Sequence, residues 1–149
     1  MTAAMDTPPA ARVILVIDSN ADHVRIIEQA LGESDEAYKM VAIASGQQAL
    51  AFLHHDSPYE TAPRPDLILL DLNLPEEGRE ILAAIKEAPH LRRIPIVVLT
   101  LADSDDDIFN SYALQGNCYV IKSTDLDQLH QTVKQIEAFW LGIVTLPGE

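Results

Sequence analysis

Short apolar runs rich in β-branched residues recur along this chain, with segments of helical periodicity between them. The first run, Val13 to Ile17, is apolar at every position, which is typical of a strand that is covered on both faces. Four more runs follow, at Lys39 to Ala44, Leu67 to Leu70, Ile96 to Leu99 and Tyr119 to Ile121. Strands that alternate with helices form an open parallel sheet with helices on both faces. The sequence therefore predicts an α/β fold with a doubly wound, five-stranded parallel sheet.

The segments between these runs, and the segment after the last one, carry helix signals. Val24, Ile27 and Leu31 recur at helical spacing before Gly32 ends the pattern, and His23 in the same segment is expected to face solvent. Further helices are predicted after Ser45, around Ile81 to Ile85, from Asp103 to Gly116 and from Leu126 to Leu141. We therefore expect a flexible arm over residues 1–11, one domain over residues 12–141 and a tail over residues 142–149.

Charge and composition narrow the classes of partner. The chain of 149 residues is 48% apolar, which is ordinary for one globular domain, and its net charge is −13. Nucleic-acid binding requires clustered Lys and Arg, so the acidic balance leaves cations or basic protein surfaces as partners, or simply a solvated surface. Cys118 alone cannot form a disulfide framework, and no apolar run approaches the ~20 residues of a membrane span. We expect a cytoplasmic protein that binds neither nucleic acid nor a membrane.

Four chemically useful side chains fall at the ends of predicted strands. Asp18 follows the first strand, Asp71 the third, Thr100 the fourth and Lys122 the fifth. Ligands of doubly wound sheets bind at this carboxyl edge, near the switch in strand order. Carboxylates there suit Mg²⁺, next to which Asp71 would stay ionised and nucleophilic, while the hydroxyl and the ammonium would hold phosphoryl oxygens. Each residue alone is better explained as a helix cap or loop residue, but the set of four favours phosphorylation of Asp71.

The same segments resemble a known family, the receiver domain of two-component response regulators. The stretches "LILLDLNLP", "VVLT" and "YVIKS" match its phosphoacceptor, hydroxyl and lysine segments. More narrowly, "RRIPIVVLT", "GNCYVIKS" and the tail "FWLGIVTLP" are similar to the small phytochrome-associated regulators of cyanobacteria. Over residues 12–141, the resemblance implies a flavodoxin-like fold, phosphorylation by a sensor histidine kinase, and signalling to an unidentified downstream protein without enzymatic activity.

The resemblance also implies roles for individual residues. Asp71 would be the phosphoacceptor, and Asp18, Asp71 and the backbone carbonyl of Asn73 would ligate Mg²⁺. The implied phosphoryl-binding and switch residues are Thr100, Lys122 and Tyr119. For Tyr119, which falls on the family's switch aromatic, an ordinary half-buried strand position is an equally good explanation.

Two of the departures of this sequence from the family concern the predicted metal site and the loop after Asp71. Receivers usually carry two adjacent acids after the first strand, and Ile17 occupies the first of these positions, which predicts weakened Mg²⁺ binding. The loop from Pro75 to Gly78 is one residue shorter than usual, with Glu77 in place of the family's aspartate. Two interpretations follow, a working phosphorylation switch or a pseudo-receiver that binds proteins constitutively. Retention of the phosphoacceptor, the hydroxyl and the lysine favours the first.

Apolar residues continue at the end of the chain beyond what one domain needs. In the last predicted helix they recur at three- and four-residue spacing, and the apolar character persists as far as Leu146. Contiguous exposed apolar surface usually marks an interface, and a two-fold pair is the commonest way to cover it. We therefore expect a homodimer, with an interface formed by Phe139, Trp140, Ile143, Val144 and Leu146. The alternative is that the tail folds back on its own domain.

Overall fold

The structure, a computed structural model, describes residues 12–33, 38–72, 78–100, 118–121 and 125–144. Five strands and four helices lie within these ranges, in the order β1 (Arg12–Ile17), α1 (Ala21–Gly32), β2 (Tyr38–Ile43), α2 (Gly46–His54), β3 (Leu67–Asp71), α3 (Gly78–Glu87), β4 (Ile96–Thr100), β5 (Cys118–Ile121) and α4 (Leu126–Val144). The predicted N-terminal arm and the predicted helix from Asp103 to Gly116 lie outside the described residues.

The five strands form one parallel sheet in the order β2-β1-β3-β4-β5. From β1 the chain first adds β2 on one side, and it then crosses back to add β3, β4 and β5 on the other side. The direction of winding therefore reverses between β1 and β3, and such a switch point is where ligands bind in doubly wound sheets. The predicted five-stranded parallel sheet is confirmed.

Short polar side chains fix the starts of three helices. The Oδ1 atom of Asn20 accepts a hydrogen bond from the backbone N–H of His23 at 3.1 Å, and Ser45 caps α2 in the same way. At α4, the Oδ1 atom of Asp125 accepts from the backbone N–H of Asp127 at 2.9 Å. Such caps satisfy N–H groups that have no partner inside the helix, so these helix starts follow from the local sequence.

The sheet separates two layers of core side chains. The α2–α3 layer comprises Leu15, Ile17, Ile43, Ala49, Phe52, Leu53, Ile68, Leu70, Ile81, Leu82, Ile85, Leu91, Ile94, Ile96 and Val98. The α1–α4 layer comprises Ile14, Val16, Ile26, Ile27, Ala30, Leu31, Leu67, Leu69, Val97, Leu99, Leu129, Val133, Ile136 and Trp140. Along β1 and β3 consecutive residues alternate between the layers, as the pleat of a strand requires.

Helix α4 is longer than the sequence predicts. It ends at Val144 and not at Leu141, so residues 142–144, expected in the tail, are helical. A glycine inside a helix costs about 1 kcal/mol relative to alanine, and α4 continues through Gly142 in spite of it. Of the helices in the described ranges, none has the length and apolar character that a membrane crossing needs.

Candidate functional site

Asp18 and Asp71 lie next to each other at the switch point. Ile17 of β1 is in register with Leu70 of β3, and each acid is the next residue along its chain. Neighbouring strands are about 4.8 Å apart. Since Val16 and Leu69 belong to the α1–α4 layer, alternation places both acids on that same face of the sheet. The structure therefore brings together the two carboxylates that the sequence analysis assigned to one site.

Both carboxylates are almost fully buried, with Asp18 3% and Asp71 4% exposed. The backbone N–H of Asn20 donates to Asp18 Oδ1 at 2.8 Å, and Asn20 is itself the cap of α1. The start of α1 therefore fixes the orientation of the Asp18 carboxylate, and the positive end of the helix dipole lies beside it. Two buried like charges repel each other, so this arrangement favours a cation between them.

The start of α3 packs against the end of β3. A Cβ atom built on Gly78 would lie 2.6 Å from the Cα atom and 2.8 Å from the carbonyl oxygen of Leu72, distances that real Cβ atoms do not adopt. Leu72 directly follows Asp71, and its N–H donates to the carbonyl of Leu99 at 2.9 Å. Gly78 therefore closes the shortened loop after Asp71 by a backbone contact that no other residue type permits.

The other predicted site residues lie wholly or partly outside the described residues. Thr100 ends β4 at the same edge of the sheet and is in register with Ile121 of β5, which Lys122 follows in the sequence. The structure describes neither the side chain of Thr100 nor that of Tyr119, and it does not describe Asn73 or Lys122 at all. The backbone of β4 and β5 is thus consistent with the predicted cluster, while the roles of these four residues rest on the resemblance.

By the resemblance, Ile17 would occupy the position of the family's additional acid. It is fully buried, and it belongs to the α2–α3 layer with Leu15 and Ile43, on the opposite face from Asp18. Among the described residues no group of three or more His, Cys, Asp or Glu side chains is placed to hold a metal ion. A metal ion at the switch point would therefore bind two aspartates together with backbone and water oxygens, an arrangement that suits Mg²⁺.

His23 is a residue that the sequence analysis placed incorrectly. It was expected to face solvent, but it is 5% exposed. His23 precedes the buried pairs Ile26–Ile27 and Ala30–Leu31 by three and seven residues, so it falls on the same stripe of α1. Helical spacing could have identified it as buried.

The residues predicted for a dimer interface divide into two groups. Phe139 is 59% exposed, whereas Trp140 is 3% exposed and packs inside its own chain, in the α1–α4 layer. Ile143 and Val144 belong to α4, but their side chains, like the whole of Leu146, lie outside the described residues. An interface on this helix would therefore be formed around Phe139 and not around Trp140.

Comparison with known proteins agrees with this arrangement of strands. The family model described as the response regulator receiver domain matches residues 14–134. Response regulator Rcp1 of Synechocystis sp. is 47% identical over 144 residues, which cover 96% of this chain and 97% of Rcp1.

Solved structures of two cyanobacterial proteins are similar over nearly their full length. The phosphorylated cyanobacterial phytochrome response regulator RcpA has a TM-score of 0.87 and 48% identity, covering 93% of this chain and 100% of that chain. The Mn²⁺-bound form of Rcp1 has a TM-score of 0.85 and 46% identity, covering 92% of this chain and 99% of that chain. Receivers are signalling modules that bind a divalent metal ion, interact with sensor histidine kinases and are phosphorylated on an aspartate. This chain belongs to the response regulator receiver family.

Proposed function

We propose that this receiver accepts a phosphoryl group on Asp71 from a phytochrome-type sensor histidine kinase in the cytoplasm and then signals to a downstream protein. The observation that carries the proposal is the pair of nearly buried carboxylates at neighbouring strand ends on one face of the sheet. Asp71 is the acid that lies within a strand, so its backbone is held rigidly at the switch point. The phosphorylated form of RcpA, a protein 48% identical to this one, supports the proposal.

In the transfer, a carboxylate oxygen of Asp71 attacks the phosphorus atom of a phosphohistidine. A P–O bond forms while the P–N bond breaks, and the electron pair of that bond returns to the ring nitrogen of the kinase's histidine. The hydroxyl of Thr100 and the ammonium of Lys122 would bind the phosphoryl oxygens and hold the group in line. Tyr119 would follow Thr100 inward as the switch aromatic.

Asp18, Asp71 and the backbone carbonyl of Asn73 would hold Mg²⁺. Hard oxygen ligands match the preference of this ion, and its charge would offset both the repulsion between the buried carboxylates and the charge of the incoming phosphoryl group. The Mn²⁺-bound form of Rcp1 supports a divalent cation in a fold with 46% identity. Ile17 has no carboxylate that could hold a water molecule bound to the metal ion. We therefore expect the affinity for Mg²⁺ to be lower than in receivers with two adjacent acids.

A pseudo-receiver is the second candidate, and Ile17 is the observation that favours it. Its fully buried side chain lies in the α2–α3 layer and supplies no carboxylate to the site. In that case the protein would bind its partners without phosphorylation. The two candidates differ in one measurable property, the reactivity of Asp71.

Incubation with acetyl phosphate and Mg²⁺, followed by a phosphate-affinity gel, measures that reactivity. The wild-type protein should shift, since Asp71 displaces acetate by attack on phosphorus, and Asp71→Asn should abolish the shift because an amide is not nucleophilic. Asp66→Asn is a matched control. Asp66 directly precedes the amino end of β3, whereas Asp71 is at its carboxyl end, and Asp66 accepts a hydrogen bond from the N–H of Val13 at 2.8 Å. Equal labelling of Asp71→Asn would contradict the assignment, and an unlabelled wild type would establish the pseudo-receiver.

We also propose that the protein forms a homodimer through the exposed face of α4 and the segment after it. Phe139 is 59% exposed and lines a shallow groove of about 140 Å³ together with Val97, Val120, Thr132, Gln135 and Ile136. Ile143 and Val144 follow Phe139 in the same helix. A second copy that supplies the same surface would cover this apolar area on both subunits.

A further inference from the structure

A cleft lies between the end of α1 and the edge of the sheet, far from the two aspartates. It has a volume of about 310 Å³ and is lined by Glu28, Leu31, Gly32, Tyr38 and Met40, and we call it the α1–β2 cleft. Tyr38 is the first residue of β2, so the cleft lies towards the amino ends of the strands, whereas Asp18 and Asp71 lie at the carboxyl ends. Its size is within the range of ligand-binding pockets.

Three side chains that line the α1–β2 cleft, those of Leu31, Tyr38 and Met40, are held in place. Leu31 is 5% exposed, and the half-buried Tyr38 and Met40 pack against the α1–α4 layer. The hydroxyl of Tyr38 donates to Glu137 Oε2 at 3.0 Å, and its ring centroid lies 5.9 Å from that of Trp140. Because Glu137 is itself buried, these contacts fix the aromatic ring before any ligand arrives.

The rim of the cleft is acidic. Glu28 is exposed, and no ion pair joins it to any residue that the structure describes. Glu33 is five residues further along and does not line the cleft; its side chain is 46% exposed and is engaged with the Nε2 atom of His130 at 2.7 Å. Three cations lie near this end of the fold. Arg12 stacks on Trp140, and Lys134 is bonded to Glu137 and to the carbonyl of Ala30. Lys39 alternates with Tyr38 and Met40 along β2 and therefore lies on the other face of the sheet. A carboxylate beside an aromatic ring and an apolar wall fits a cation on an aliphatic stem.

Strand β2 offers main-chain groups next to the cleft. It is the outermost strand of the sheet, and within the described ranges it pairs with β1 alone. An extended peptide can add to such an edge, and every second side chain of the peptide then points to the same face. On the α1 side of the sheet, that face opens on the α1–β2 cleft.

We propose that the α1–β2 cleft receives an arginine or lysine side chain from an extended basic segment of a partner protein, which pairs with the outer edge of β2 between Lys39 and Ala42. The charged group of that side chain contacts the carboxylate of Glu28. Its aliphatic part packs on Leu31 and Met40, and Tyr38 supplies an aromatic face. The net charge of −13 attracts a basic segment and raises its rate of association. This surface lies at the opposite end of the sheet from Asp71, and the interaction does not require phosphorylation.

Gly32 provides a direct test, because a Cβ atom at this position would have no atom within 4 Å. Gly32→Leu therefore fills the cleft without disturbing the fold, and Glu28→Gln removes the charge at the rim. Gln29→Leu is the matched control, since Gln29 is exposed on the same helix and does not line the cleft. Thermal unfolding of all three variants should match the wild type or exceed it.

The probe is an acetylated, amidated heptapeptide of alternating threonine and arginine, titrated into the unphosphorylated full chain at low salt and followed by amide NMR shifts. Shifts should concentrate at Leu31, Lys39 and Met40. Gly32→Leu should weaken binding of the peptide at least tenfold. Glu28→Gln should weaken it about threefold and make the affinity less dependent on salt. Gln29→Leu should bind the peptide like the wild type. A peptide with glutamine in place of arginine should bind at least tenfold more weakly. Any one of three results would overturn the proposal. The shifts are absent or centred on Phe139, or Gly32→Leu binds the peptide as tightly as the wild type, or the glutamine peptide binds as tightly as the arginine peptide.

Discussion

The two layers of the core differ in the kind of side chain they bury. As far as the described residues show, the α2–α3 layer buries no polar side chain, whereas Asp18, His23, Asp71 and Glu137 are all buried on the side of α1 and α4. Burying a polar group costs free energy unless it is hydrogen-bonded, and here Asp18 accepts from the N–H of Asn20 and Glu137 from the hydroxyl of Tyr38. Both layers bury apolar side chains and so supply stability, while the α1–α4 layer also carries the residues that bind, react or orient.

The largest expected effect comes from placing an acid in the apolar layer. Ile17→Asp removes a fully buried side chain and puts a carboxylate among Leu15 and Ile43, so we expect a loss of about 4 kcal/mol or more in the free energy of unfolding. If the new carboxylate reaches the metal through water, Mg²⁺ should bind more tightly than in the wild type and restore part of that loss. Urea unfolding with and without Mg²⁺, together with calorimetric titration, measures both quantities.

Ile17→Val is the control for that substitution. It keeps the layer apolar and should cost only about 1 kcal/mol, with no change in the affinity for Mg²⁺. Unchanged stability of Ile17→Asp would show that position 17 is not part of the apolar layer. No gain in Mg²⁺ affinity would contradict the match of Ile17 to the family's additional acid.

Truncation within the apolar layer should affect stability without affecting chemistry. Leu82 is fully buried in α3, so Leu82→Ala should lower the free energy of unfolding by about 2–5 kcal/mol through lost burial and the cavity left behind. The folded fraction should still be labelled by acetyl phosphate at the wild-type rate. Glu80→Ala, on the exposed face of the same helix, should stay within about 0.5 kcal/mol of the wild type. A loss of labelling in folded Leu82→Ala would show that the layers are coupled.

A smaller effect is expected where the apolar layer meets the site. In Gly78→Ala the new methyl group would collide with the backbone of Leu72, so we expect a loss of about 1–3 kcal/mol and slower labelling of Asp71. Gly32→Ala, where a methyl group has open space, should be neutral or stabilising by up to about 1 kcal/mol. Chemical unfolding and a labelling time course check both variants. Equal behaviour of the two would refute the backbone contact at Gly78.

The smallest effect on stability is expected at the surface of α4. Phe139→Ser should change the free energy of unfolding of one subunit by less than about 0.5 kcal/mol, because the side chain is 59% exposed. It should nevertheless convert a dimer into a monomer, which light scattering at ~100 µM would detect. This concentration is well above a micromolar dissociation constant, which corresponds to a binding free energy of about −8 kcal/mol. A wild-type protein that is monomeric at this concentration would contradict the proposed homodimer.

The sequence was most informative where a residue's neighbours decide its structure. The strands and helix starts follow from apolar runs and caps such as Asn20 and Ser45, and the placement of Asp18 beside Asp71 follows from the strand order. The separation of Phe139 from Trp140 and the contact of Gly78 with Leu72 depend on how elements pack, and local patterns do not encode that packing, whereas the helical spacing of His23 already indicated its burial. The length of α4 was underestimated because Gly142 is a poor helix former in isolation.

The position of the single tryptophan has a consequence for spectroscopy. Trp140 lies under Arg12, the first residue of β1, and Asp18 lies six residues further along an extended chain, about 20 Å away. The intrinsic fluorescence of this protein should therefore change little when a metal ion binds or an acyl phosphate forms at the other end of the sheet. It should respond instead to global unfolding and, through the Tyr38 ring at 5.9 Å, to whatever enters the α1–β2 cleft. The chain thus contains an optical probe at one end only, which separates events at the two ends of the sheet without any added label.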